Sequence, residues 1–255
     1  MAEKILNVLL LRGLVREQRH WGRFPEVLRE VVPNFKLHFL DLPGVGTEFR
    51  RSSPRSISEI TDDLRDRWLS LRDSNTGGWG LFSISLGSMV ALDWGDRYPD
   101  DFSWLSLMNT SAANMSPVIG RLRFLAIPKL LQIASTKDSK LKELRILKLT
   151  TSMLVDVNDL AEEWSRYVMS PVRARSLALS QLAAALRFKA PSSLAVPACM
   201  FVGMEDKLVD PNCSLSISKN LSLDALIHNQ GGHDVCLDDP RWVADQLREW
   251  VSRAT

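Results

Sequence analysis

The chain has 255 residues, of which 45% are hydrophobic and 24% charged, with a formal net charge of only +2. That length and apolar content suffice for one full core, and the balanced charge compels no nucleic-acid or membrane partner, so a small molecule fits better. No run approaches the roughly 18 apolar residues of a membrane span, and the run Ile5 to Leu11 is interrupted by Asn7, meets Arg12 and lacks a small-residue cleavage site, so it reads as a buried strand and not a signal peptide.

Short apolar runs recur at about 5–11, 36–41, 78–84, 103–109, 196–202 and 223–229, with amphipathic segments between most of them. Such alternation predicts an α/β fold, an open and mainly parallel sheet with helices on both faces. Trp21 to Val32 repeats apolar residues at helical spacing before Pro33, Ser56 or Ser58 can cap a helix through about Leu71, and Gly87 to Tyr98 forms a third ending at Pro99. The last helix starts near Pro240, with Asp239 as N-cap and Val243, Leu247, Trp250 and Val251 along one face.

The alternation stops between about Met115 and Lys189, where helical patterns dominate: Leu122 to Ile133, Leu141 to Leu154, Leu160 to Met169, and Pro171 to Phe188 with Ser170 as cap. The chain therefore divides into a core of residues 1–112 and 191–255 and a helical insertion of 113–190. An insertion between two strands is most simply a lid over the sheet's functional edge, the other reading being a structural extension away from it. Cys199, Cys213 and Cys236 lack metal or redox spacing and read as free thiols of a reducing cytoplasm, so the expectation is a soluble, cytoplasmic protein.

The stretch Trp79 to Ser88 places Ser85 between a strand and a helix, with small residues Ser83 and Gly87 two before and two after it. Side chains at those flanking positions would collide with backbone in a turn tight enough to push a serine hydroxyl out at the strand's carboxyl end. The plain alternative for Ser85 is a turn or helix cap. The segment resembles the G-x-S-x-G nucleophile elbow of the α/β-hydrolase family, in which carboxylesterases and pimeloyl-carrier methyl esterases fall, with Ser83 where the first glycine is usual. Asp41-Leu42-Pro43-Gly44-Val45-Gly46 is similar to the family's D-x-P-G-x-G turn and is taken as structural.

The resemblance implies an acid after a late strand and a histidine after the last one. Asp206 matches the acid, with Glu205 and Asp210 as alternatives, and His233 in Gln230-Gly231-Gly232-His233-Asp234 matches the base, its glycines letting the chain swing toward the serine. Arg12-Gly13-Leu14 is similar to the family's His-Gly-x loop with arginine in the histidine's place. The backbone amides of Leu14 and Leu86 are then the implied oxyanion donors. His20 and Trp21, in the loop after the first strand, are candidates for touching substrate, whereas His38 and His228 read as packed or edge residues.

The implied activity is hydrolysis of a small carboxylic ester through an acyl-enzyme on Ser85, needing no metal or organic cofactor. Thioesters, carbon–carbon bonds and perhydrolysis suit the same residues, and a binding protein that kept the fold and lost catalysis is a further alternative. In the insertion, Arg121, Arg123, Lys129, Lys137, Lys140, Lys142, Arg145 and Lys148 outnumber Asp138 and Glu143. They read as a solvated face or, as in the pimeloyl-carrier esterases, a dock for an acidic carrier protein. Met115, Met153, Trp164 and Met169 read as core or as the lining of an acyl pocket.

Overall fold

The computed structural model describes residues 6–167 and 171–254. Six strands, β1 (Leu6–Leu11), β2 (Phe35–Phe39), β3 (Gly78–Ser83), β4 (Trp104–Met108), β5 (Ala198–Gly203) and β6 (Asp224–His228), form one sheet in the order β2-β1-β3-β4-β5-β6. Every neighbouring pair is parallel. The central strands are apolar on both faces because both faces are covered: Val8 and Leu10 of β1 enter one core, Leu9 and Leu11 the other.

Helices α1 (Phe24–Val31) and α11 (Pro240–Ala254) cover the first face through Phe24, Leu28, Val243, Leu247 and Trp250. The opposite face is covered by α2 (Ile57–Asp73), α3 (Leu86–Arg97) and α9 (Pro211–Leu221), through Ile60, Leu64, Trp68, Val90, Trp94 and Ile217. A four-residue helix, α10 (Val235–Asp238), precedes α11. Because β1 lies between β2 and β3, the winding direction reverses there, and the loops after β1 and β3 open into the crevice where such sheets bind ligands.

Between β4 and β5 the chain runs through α4 (Val118–Arg121), α5 (Ala126–Ser135), α6 (Ser139–Thr150), α7 (Val157–Ser165) and α8 (Pro171–Arg187). Helices α5 and α6 share a small core of Ala126, Ile133 and Leu149, while Leu147, Ala161 and Trp164 pack with Leu237. Leu177 and Ala184 of α8 join the main core beneath.

Two expected helices start later than expected. Instead of one helix from Trp21 to Val32, a 3₁₀ turn at Gln18–Trp21 precedes α1, which starts where Pro25, lacking an N–H, fits the first turn. Leu122 to Ile133 is interrupted because Leu122 forms an antiparallel bridge with Val209, so α5 begins only at Ala126. Asp239 caps α11 as expected, accepting from Trp242 N at 3.0 Å, whereas Ser56 Oγ lies 2.7 Å from Ser58 Oγ and makes no cap bond. The expected strand start at Ile5, the Ser170 cap and Met169 lie outside the described residues.

Candidate active site

Ser85 stands at the carboxyl end of β3, immediately before α3, with φ 58° and ψ −116°. A non-glycine residue held there costs on the order of 1–3 kcal/mol, so its surroundings must impose the conformation. They do so from the end of β4 and the residues just after it: Ser85 N donates to Met108 O at 2.8 Å, and Thr110 Oγ1 donates to Ser85 O at 2.9 Å. Gly87 is required by close approach, since a Cβ there would lie 2.7 Å from the carbonyl oxygens of Leu11 and Arg12. Ser83 is absent from the positive-φ residues, so the turn asks nothing of it that only glycine can give. Its hydroxyl is absorbed instead, donating to Ser106 O at 2.9 Å beside Ser88 Oγ at 3.2 Å.

Asp206 follows β5 and is almost wholly buried. Its Oδ1 accepts from Leu208 N at 2.8 Å and Val209 N at 2.9 Å, while Oδ2 is 2.6 Å from His233 Nδ1. The alternatives are disposed otherwise: Asp210 caps α9 through Asn212 N, and Glu205 is exposed. Two amides and an imidazole thus fix the Asp206 carboxylate, which in turn orients the ring so that Nε2 is the nitrogen left for a reaction.

The loop that carries His233 is built by close packing. Residues 231 and 232 are not in the left-handed region, so the expected backbone freedom is not what glycine supplies here. A Cβ on Gly203 would instead lie 2.1 Å from Gly232 O, so these two backbones touch. Asn109, itself at φ 44°, donates to Gly232 O at 3.0 Å and His233 O at 2.7 Å and accepts from Gly203 N at 2.9 Å. Three consecutive residues at the end of β4 and just beyond it, Met108 to Thr110, therefore hold both the serine and histidine loops. Burial drives the imidazole toward its neutral form, but the Asp206 charge and hydrogen bond, with Asp234 behind them, outweigh burial and the opposing Arg12, and its pKa is raised.

The structure joins Asp206 to His233 and pins Ser85 to the same strand end. Ser85 Oγ, half-buried, makes no hydrogen bond among the described residues. The amides of Leu14 and Leu86 likewise donate to no atom among the described residues. Position 13 abuts the serine, because a Cβ on residue 13 would lie 3.1 Å from Ser85 Cβ.

The loop after β1 is fastened to the insertion. Val15, at φ 57°, donates its N–H to Gln181 Oε1 of α8 at 2.8 Å, and Arg16 pairs with Glu143 of α6 at 2.7 Å while covering the Trp164 ring. The structure gives His20 and Trp21 partners other than a solvent-filled cleft. His20 is buried edge-on against Trp164 and Tyr167, its Nδ1 3.1 Å from Glu17 N, and burial beside Arg16, Arg12 and Arg19 keeps it neutral. Trp21 is buried against Phe24, Phe82 and the Arg12 guanidinium.

Other candidates fall away from this edge. Arg121 is buried and spends its guanidinium on Ser111 Oγ and on the carbonyls of Ala185 and Leu186, so it leaves the expected basic face. Lys140 pairs with Glu162, while Arg123, Lys129 and Lys137 stay exposed. Trp164 is core, Met115 packs against the main core and Met153 is exposed. His38 bonds Asn7 and His228 approaches Asp239, both on edge strands. All three cysteines are buried, and burial raises the pKa of each, which leaves them poor nucleophiles. Asn109, Gln181 and Asp234 escaped sequence reasoning; only Asp234, adjacent to the histidine, carried a positional hint.

A strained serine before a helix at a topological switch point, with an Asp–His pair on the same edge of a parallel sheet, defines the α/β-hydrolase class. The family model Hydrolase_4, serine aminopeptidase S33, matches residues 7–239, and the chain belongs to that family. A pimeloyl-[acyl-carrier protein] methyl ester esterase of Chromobacterium violaceum is 33% identical over 92 residues, 36% of this chain and 33% of that protein. The match thus spans about a third of that curated relative. Among solved structures, the 2-hydroxy-6-oxo-6-phenylhexa-2,4-dienoate hydrolase of Rhodococcus sp. strain RHA1 superimposes with TM-score 0.78 at 17% identity, over 96% of this chain and 90% of the other. A thermophilic esterase of Thermogutta terrifontis gives 0.69 at 19% identity, over 98% and 90%. At these identities the structural likeness carries the fold alone. No helix among the described residues is long and apolar enough to cross a membrane.

Proposed function

We propose that the protein hydrolyses small carboxylic esters, with Ser85 as nucleophile, His233 as general base and acid, and Asp206 as the group that orients and charges the imidazole. The observation that carries this is the 2.6 Å contact of His233 Nδ1 with Asp206 at the sheet edge where Ser85 is held in a strained turn. His233 Nε2 takes the Ser85 proton as Oγ bonds to the ester carbonyl carbon. That proton passes to the leaving alkoxide as the ester C–O bond breaks. Water, deprotonated by the same imidazole, then releases the acid and restores Ser85. Hydrogen bonds of this kind often tighten only when substrate enters, which accords with the unengaged Ser85 hydroxyl. The unengaged Leu14 and Leu86 amides suit the tetrahedral oxyanion, each donor contributing about 3–4 kcal/mol. Residues 113–190 act as a lid on the core formed by 1–112 and 191–255.

Turnover of p-nitrophenyl esters of graded acyl length by wild type and by Ser85→Ala tests this reading. The variant is expected to fold and to lose turnover; retained turnover excludes the mechanism. A second reading, in which the ester is presented by an acidic carrier protein, is favoured by exposed Arg123, Lys129 and Lys137 and by the carrier-ester activity named for the Chromobacterium relative. Steep salt dependence toward carrier-bound but not free esters supports that version.

A further inference from the structure

We infer that Arg12 and Asp234 are a positioning pair that ties the loop of Leu14 to the loop of His233, an inference that rests on the reading of Ser85 as nucleophile. Arg12 occupies the place where the resembled family carries histidine, two residues before Leu14, and Asp234 directly follows His233. Their side chains meet at 2.6 Å, Nη2 to Oδ2, with each only 5% exposed. The guanidinium lies 4.7 Å from the Trp21 ring, and Asp234 N donates to Thr150 O at 2.8 Å, so neither partner can swing away freely.

Stability alone does not explain this pair. Burying two charges costs several kcal/mol per ion, which a single contact offsets only when the remaining hydrogen-bonding atoms are also satisfied. Here they are not: Arg12 Nε and Nη1 and Asp234 Oδ1 are buried without a partner among the described residues. An apolar pair would serve folding as well, so an incompletely satisfied ion pair between these two loops points to a role in the site.

The pair also sets the charge around the imidazole. Asp206, on the loop after β5, and Asp234, on the histidine's own loop, favour imidazolium; Arg12, on the loop after β1, opposes it. Two further charged groups nearby are engaged with backbone, Asp238 with Gly232 N and Lys207 with Thr151 O. Because Arg12 and Asp234 act on His233 with opposite sign, removing one must move its titration in a known direction.

The test is the pH dependence of Ser85 labelling by a fluorophosphonate probe, which reads the free enzyme without a known substrate. Asp234→Asn, nearly isosteric, is expected to shift the acidic-limb midpoint to lower pH and to lower the plateau rate by about tenfold or more. A merely structural residue would leave that midpoint in place. Should Asp234→Asn fail to fold, Arg12→Lys provides the second measurement: charge is kept and the planar fork lost, so the plateau falls by a similar factor while midpoint and Tm stay near wild type. A folded Asp234→Asn with wild-type midpoint and plateau, or an Arg12→Lys with a wild-type plateau, overturns the pair's role alone. Absence of labelling in the wild type overturns the serine reading and the pair's role with it.

Discussion

His233 and Asp206, 27 residues apart in the chain, meet through a 2.6 Å hydrogen bond between Nδ1 and Oδ2. Asp206→Asn keeps the Oδ1 that anchors Leu208 and Val209 but offers His233 a donor where an acceptor stood. The fold is expected to survive while kcat falls by about 10⁴-fold, the effect of forcing the wrong tautomer in a comparable triad. Steady-state kinetics with thermal melts check both halves.

The raised pKa of His233 predicts an acidic limb of kcat/KM whose midpoint lies above the ordinary histidine value of 6.5. Activity needs the neutral imidazole and therefore rises with pH through that midpoint. The stability linkage runs the other way. A group whose folded pKa is raised stabilises the fold fully below its unfolded pKa, and that contribution is lost as pH rises through the folded value. A rate profile with its midpoint below 6.5 contradicts the electrostatics described for this site.

Ser83→Gly restores the residue usual in the resembled elbow. The turn needs no left-handed backbone at this position, so esterase activity is expected to persist, and losing the bond to Ser106 O should cost about 1 kcal/mol or somewhat more. Denaturant titration beside an ester assay measures the two effects separately.

Gly87→Ala places a methyl group 2.7 Å from the carbonyl oxygens of Leu11, the last residue of β1, and Arg12, the first of the loop after it. Both α3 and that loop must shift, at a cost of about 1–3 kcal/mol, with turnover falling far more than stability because Ser85 and Leu14 move apart. Wild-type turnover in this variant would show that the close approach is unimportant.

Gln181→Leu removes the acceptor of Val15 N and leaves a half-buried amide without its partner, at about 1 kcal/mol. Since Val15 adjoins Leu14, kcat is expected to drop while KM for a small ester changes little. A raised KM with kcat unchanged would place Gln181 in substrate binding instead.

The six strands, the tight turn at Ser85 and the loops of Asp206 and His233 were legible in the sequence because each rests on a local signal: an apolar run, a small-x-Ser-x-small spacing, or polar residues just after a strand. What was illegible depends on contacts between distant segments. Asn109 looks like any polar residue at a strand end, yet it holds Gly203, Gly232 and His233 together. Arg121 looked like part of a basic face until α8 supplied carbonyls to bury it. Gly231 and Gly232 suggested backbone freedom, whereas a Cβ on Gly232 would lie 2.9 Å from Thr150 O, and it is residue 203 that must be glycine to pass Gly232 O. His20, polar and in the right loop, is enclosed by Trp164 and Tyr167 of the insertion, and no spacing rule foretells that packing.

The central claim is that the Ser85 hydroxyl forms the covalent acyl intermediate. Intact-protein and peptide mass spectrometry after brief exposure to a fluorophosphonate tests it most directly. One adduct per chain, mapped to Ser85 and lost in both Ser85→Ala and His233→Ala, is the predicted result; folded wild-type protein with no adduct, or with the adduct on another residue, would contradict it.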